Sequence, residues 1–160
     1  MGRTLDVYMF SLRNWFIKYM CFLLLPKEWV TALSRWIGNR RCLEIMAGTG
    51  ALAYYLIKEG VSIIATDDYS CEKTCGENRV LWDKHRMWIH VEDLDAVNAV
   101  EKYGNNIDVL IMSWSPYTDE IAVKMLWKMR EVNPSCIMLY VGEDEGGCTA
   151  NDEFFPYLRK

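Results

Sequence analysis

Two stretches of this sequence set carboxylates next to glycines where a chain can meet a small ligand. Arg41-Cys-Leu-Glu-Ile-Met46 is an apolar run interrupted by Glu44, and it leads directly into Ala47-Gly48-Thr49-Gly50-Ala51-Leu52-Ala53. Glycines at the start of a helix let the backbone turn sharply and approach a ligand closely. Glu44 inside an apolar run is costly unless partners receive it. The next run, Ser62-Ile-Ile-Ala-Thr-Asp67, ends in a carboxylate. One helix and one strand separate Asp67 from Gly48 and Gly50, a spacing that brings it beside the glycine turn, where it can accept both hydroxyls of a ribose. Asp68 is a substitute for that role, but Asp67 follows the strand directly.

Further along, His90-Val-Glu-Asp93-Leu-Asp95-Ala96 is a third strand end rich in acids. Asp93 or Asp95 there can hold an adenine amino group, and either can instead cap the following helix. A fourth run, Ile107-Asp-Val-Leu-Ile-Met-Ser113, opens into Trp114-Ser115-Pro116-Tyr117, which joins hydroxyls, a proline suited to a helix start and an aromatic ring. After the fifth run, Gly142-Glu-Asp-Glu-Gly-Gly-Cys-Thr149 forms an acidic loop in which Glu143 can serve as a base or bind an amine. Metal chemistry is not expected. His85 and His90 have no companion at ligand spacing, and the Cys71/Cys75 pair has no second pair to complete a zinc set.

The elements that must position these residues follow from the alternation of apolar runs with amphipathic stretches. Strands are expected at Cys42–Met46, Val61–Thr66, Met87–Val91, Ile107–Met112 and Cys136–Val141, each apolar as a strand buried on both faces should be. Helices are expected over 50–59, 71–84, 94–103 and 118–131, with a short one at 152–158. Before the first strand, residues 5–25 and 27–37 read as two helices separated by Pro26. The pattern defines an α/β protein with a doubly wound, mainly parallel five-stranded sheet. The domain division is an N-terminal helical arm over 1–38, packed on a ligand-binding domain over 39–160.

Together these residues resemble the class I S-adenosylmethionine-dependent methyltransferases, over residue 38 to about residue 143. The resemblance rests on Leu43-Glu-Ile-Met-Ala-Gly-Thr-Gly50, on Ala65-Thr-Asp67 and on the acidic third strand end. In that family the first motif carries G-x-G-x-G; here Met46 stands at its first glycine and crowds the methionine end of the site. The resemblance implies a Rossmann-like core with S-adenosyl-L-methionine as cofactor. Met46, Ala47, Gly48 and Gly50 would pass close to it, Glu44 would orient their loop, and Asp67 would hold the ribose. The Trp114–Tyr117 turn resembles the one with which amino-group methyltransferases hold a planar acceptor. Pro116 and Tyr117 match, Ser115 replaces a proline, Trp114 stands at the polar position, and Ser113 can supply that polarity. The implied family member is short, ending without the usual C-terminal strands. Its open sheet edge would be covered by a second copy, a partner subunit or its own N-terminal helices. Tyr8, Phe10 and Trp15 are candidates for a lid.

Composition bounds this reading. The chain has 160 residues, 51% hydrophobic and 25% charged, enough apolar material for one packed domain. A formal net charge of −4 argues against broad nucleic-acid or anionic-membrane binding. The apolar stretch Trp15–Leu25 is shorter than the roughly 20 residues of a membrane span. Six irregularly spaced cysteines suit a reducing, cytoplasmic compartment. Two alternatives stay open: a non-catalytic S-adenosylmethionine-binding or partner subunit, and a nicotinamide dinucleotide-binding protein, since Gly48-x-Gly50-x-x-Ala53 also fits that fingerprint.

Overall fold

The structure, a computed structural model, describes residues 25–70 and 87–158. The helices expected over 5–25 and 71–84 lie outside these residues, apart from Leu25, as do Tyr8, Phe10, Trp15, Cys71 and Cys75. The first described helix, α1 (Lys27–Ile37), starts after Pro26 and stops where Gly38 adopts φ 60° and donates its N–H to Ser34 O. It turns Val30, Leu33 and Ile37 inward.

Five strands follow: β1 (Arg41–Ile45), β2 (Ser62–Asp67), β3 (Glu92–Asp93), β4 (Val109–Ser113) and β5 (Ile137–Val141). All pair in parallel in the order β3-β2-β1-β4-β5. The connecting helices are α2 (Ala51–Lys58), α3 (Ala96–Tyr103) and α4 (Ile121–Val132), and a last short turn of helix is α5 (Phe155–Leu158). This is the doubly wound, Rossmann-like α/β architecture that the alternating runs require.

Side-chain alternation along the strands splits the core in two. Cys42, Val109 and Ile111 face α1 and α2, where they pack with Val30, Leu33 and Leu56. Leu43, Ile45, Leu110 and Met112 face the other way, against Val100, Met125 and Phe154. Each large side chain so buried contributes about 1.5–3 kcal/mol. Glu44 shares the face of Cys42, so it points toward α2.

The third strand departs from expectation. Met87–Val91 is not a strand; pairing with β2 is limited to Thr66 with Glu92 and Asp67 with Asp93. The apolar residues of that run are used for packing instead. Val91 is buried with Ala53 and Ala65, Ile89 packs beside them, and the Trp88 ring lies 5.2 Å from Tyr54 and 5.5 Å from Tyr55. The Trp88 N–H goes to Thr49 O at 3.0 Å rather than to a strand.

Among the described residues no strand follows β5. The chain returns through one antiparallel bridge between Thr149 and Pro116, then buries Phe154 and Phe155 beneath Tyr140. The helix expected over 152–158 is confined to its last four residues. No described helix is long and apolar enough to cross a membrane.

Candidate functional site

In a sheet of this order the connections reverse direction between β1 and β4, and their carboxyl ends border a crevice suited to a ligand. The turn after β1 forms one wall. Met46, Gly48 and Gly50 adopt φ of 54°, 57° and 74°, so three left-handed residues are spaced two apart. Glycine accepts that conformation at no cost; Met46 does not, and carries strain of about 1–2 kcal/mol. Ala47 N–H reaches Thr66 O at 3.0 Å, and Gly50 N–H closes back on Ala47 O at 2.9 Å. A Cβ on Gly50 would lie 2.7 Å from Ile89 Cγ1 and 2.8 Å from Val91 Cγ2, so the run before β3 seals the back of this turn.

Glu44 sits beneath the turn with 1% of its surface exposed. Gly50 heads α2 without a side chain to cap it, leaving first-turn N–H groups in need of acceptors. Glu44 Oε2 accepts from Ala53 N–H at 3.1 Å, and Ser113 Oγ donates weakly to Glu44 Oε1 at 3.4 Å. The strand carboxyl thus caps the helix and touches the end of β4. Burial pushes its pKa up to about 8, opposed by the Ala53 and Ser113 hydrogen bonds and reinforced by nearby Asp67.

Asp67 closes β2 beside the glycines, at the place its spacing implied. Oδ2 accepts from Gly48 N–H and Oδ1 from Tyr69 N–H, both at 2.7 Å. Burial raises its pKa, those two N–H groups lower it, and Asp68 and Asp93 raise it further. Each oxygen retains a second lone pair for a ligand hydroxyl. Asp68 turns instead to Ser70 N–H at 2.9 Å. Tyr69, which had no signal in the sequence, adopts φ 52° and sends its hydroxyl to Val91 O at 3.2 Å, closing over this corner.

The two third-strand acids part company. Asp93 ends β3 in register with Asp67. Asp95 caps α3, accepting from Val97 and Asn98 N–H at 3.0 Å, and these bonds, Asn98 first, hold its pKa below the usual range. Its place is therefore that of a helix cap.

The turn after β4 forms the other wall. Trp114 adopts φ 58° and donates its N–H to Val141 O at 2.8 Å. Ser113 faces Glu44, Ser115 is completely buried, and the Tyr117 ring is 43% exposed, with its hydroxyl 3.4 Å from Asp152 Oδ2. Glu143 is exposed in its own loop, where Oε2 accepts from Cys148 N–H at 2.5 Å. Among the described residues no cluster of His, Cys, Asp and Glu could hold a metal. A polar hollow beside Arg40, Arg41 and Asn133 lies at the opposite, amino-terminal end of the strands and shares no residue with the crevice.

No model of a known protein family matches the chain, and no curated protein is similar to it in sequence. The class therefore comes from architecture: a five-stranded parallel sheet in Rossmann-like order. Such a fold is compatible with a ligand-binding enzyme that uses a nucleotide-like cofactor.

Proposed function

We propose that the chain is an S-adenosyl-L-methionine-dependent methyltransferase acting on a planar, nitrogen-containing acceptor. One observation carries the choice of cofactor: Glu44 already occupies the N-terminus of α2. A dinucleotide would set its pyrophosphate there, on free N–H groups and the positive end of the helix. The Glu44 side chain at that point takes up one of the first-turn donors that the pyrophosphate would need. S-adenosylmethionine has no phosphate, so the same end of the helix can stay closed while Asp67 receives the ribose.

The residues present fit this cofactor. Asp67 retains acceptor capacity beside the glycine turn, and Thr49 on that turn has a buried hydroxyl with no hydrogen-bond partner among the described residues. The half-buried Met46 narrows the methionine end. When bound, the cofactor supplies an electrophilic methyl on a sulfonium, so the protein's share of the work is alignment. In this reading Gly48 and Gly50 give the backbone its close approach, Asp67 fixes the ribose, and Asp93 meets the adenine edge. Tyr117 offers its ring to the acceptor, and Glu44 holds both walls in place through Ala53 and Ser113.

Calorimetric titration of the full chain with S-adenosylhomocysteine, and separately with NADH, tests the reading. Heat with S-adenosylhomocysteine alone is expected. Asp67→Asn, which cannot serve two backbone donors and two hydroxyls together, should weaken it about tenfold or more. No heat and no thermal shift at about millimolar ligand, or a response to NADH alone, overturns it.

A further inference from the structure

Beyond β4, the sheet ends in β5, which is apolar at every position from Ile137 to Val141. β4 beside it is buried over Val109–Met112, yet no β5 residue is fully buried, and Ile137 is 41% exposed. Register with β4 sets Ile137 and Leu139 on the face of Val109 and Ile111, where α1 and α2 pack, and Leu139 only borders that core. Ile137 N–H bonds to Asp108 O, and Val141 O accepts from Trp114 N–H. Alternation along the parallel ladder therefore turns the N–H and C=O of Met138 and Tyr140 outward, where no described strand meets them. An outer strand is ordinarily guarded by a charge, a proline or a bulge. β5 carries no charge and no proline, and its register runs unbroken.

The two ends of this strand differ in charge. Glu143, Asp144 and Glu145 follow its carboxyl end, all exposed. At its amino end, Arg40 and Arg41 line a hollow together with Pro134, Ser135 and Ile137. Arg41 Nε lies 3.7 Å from Asp108 Oδ2, and the Arg40 guanidinium lies over the Trp36 ring at 5.2 Å. The hollow thus holds two exposed arginines against one carboxylate.

We propose that the outer edge of β5 is a self-pairing surface, on which a second copy of this chain adds its own β5 antiparallel to the first, about a two-fold axis at Leu139. Such an axis sets Met138 of each copy opposite Tyr140 of the other, so that the outward N–H and C=O groups of both residues are exchanged. Leu139 then meets its own counterpart, and Ile137 meets Val141 on the open face, closing an apolar stripe. Antiparallel pairing also carries the acidic loop of each copy toward the arginine-lined hollow of the other, twice per dimer as the symmetry demands. Any extended segment could satisfy the backbone edge; a second copy is the occupant whose charges match at both ends.

Sedimentation velocity of the full chain, from micromolar to near-millimolar concentration, tests this, and a reversible dimer is expected. Ile137→Lys, at a position exposed in the single chain, should weaken the dimer about tenfold or more. Its melting temperature in dilute solution should stay within about 2 °C of the parent's. Arg40→Glu and Asp144→Lys should each weaken association about tenfold or more when studied alone. An equimolar mixture of those two variants should restore it, because both contacts of the mixed dimer then join opposite charges. A monomer at every concentration overturns the proposal and means that another segment of this chain or a different partner holds the edge. So does a dimer indifferent to Ile137→Lys, or a mixture that associates no better than either charge variant alone.

Discussion

Replacing Glu44 by Gln should change how stability depends on pH more than it changes stability itself. The Glu44 carboxyl is buried, and its folded pKa of about 8 lies above the ordinary 4.5. The folded state therefore keeps a proton that the unfolded chain has already released. The stabilisation is complete below about pH 4.5, declines as pH rises toward 8, and levels off beyond it. Within that window each pH unit costs about 1.4 kcal/mol. Between about pH 6 and pH 8 the loss is about 2 kcal/mol, roughly 4–8 °C in melting temperature for a chain of this size. Gln retains an oxygen for the Ala53 N–H and cannot ionise, so Glu44→Gln should lack this decline. Thermal melts of both proteins, followed by circular dichroism across that range, give two curves that converge in acid and separate in base. Parallel curves would refute the reasoning, because they would mean that Glu44 reaches water or is ionised throughout. Glu44→Ala serves as the contrast: it leaves the first turn of α2 uncapped over a cavity, and should lose about 2–4 kcal/mol in acid, a deficit that shrinks as pH rises because this variant, like Gln, lacks the decline.

Gly50→Ala should cost about 2 kcal/mol or more in chemical denaturation, since the residue sits at φ 74° and the new methyl would press on both Ile89 and Val91. A loss under about 0.5 kcal/mol would show that these side chains do not seal the turn. Asp95→Ala should cost about 0.5–2 kcal/mol through the lost α3 cap. Because the folded-state pKa of Asp95 is depressed, its contribution is present above the ordinary carboxylate range and fades as pH falls through the folded value. The variant should accordingly show a shallower acid limb in urea melts at graded pH.

Four strands were legible because each apolar run is also a pairing unit, with residues on both faces finding helices. Met87–Val91 carries the same signal and is not a strand. An apolar run states that its side chains will be buried and says nothing of where its N–H groups go. Trp88 shows the difference: its indole packs on Tyr54 and Tyr55 while its N–H serves Thr49 O. In the site, Asp67 was readable because one helix and one strand fix the distance between consecutive strand ends. Asp95 left a choice that only its bonds to Val97 and Asn98 resolve. Tyr69 could not be read. Its own backbone is left-handed, and it lacks the glycine that usually announces that conformation.

Glu44 ties the two walls of the candidate site together. Strand alternation turns it toward α2, the bare Gly50 at the head of that helix leaves a donor for it, and its second oxygen meets Ser113 on the neighbouring strand. The glycine turn and the turn after β4 are thus referred to a single carboxyl, through one ordinary hydrogen bond and one weak one. Moving either wall would strand a polar group in the core, where an unpaired donor or acceptor costs about 1–3 kcal/mol. Left-handed Met46 and Trp114 follow immediately on the two wall strands, so their strain is borne where the walls are most firmly tied. Walls held in this way are shaped by the fold itself, and pre-organisation of that kind would lower the entropic cost of the binding proposed above.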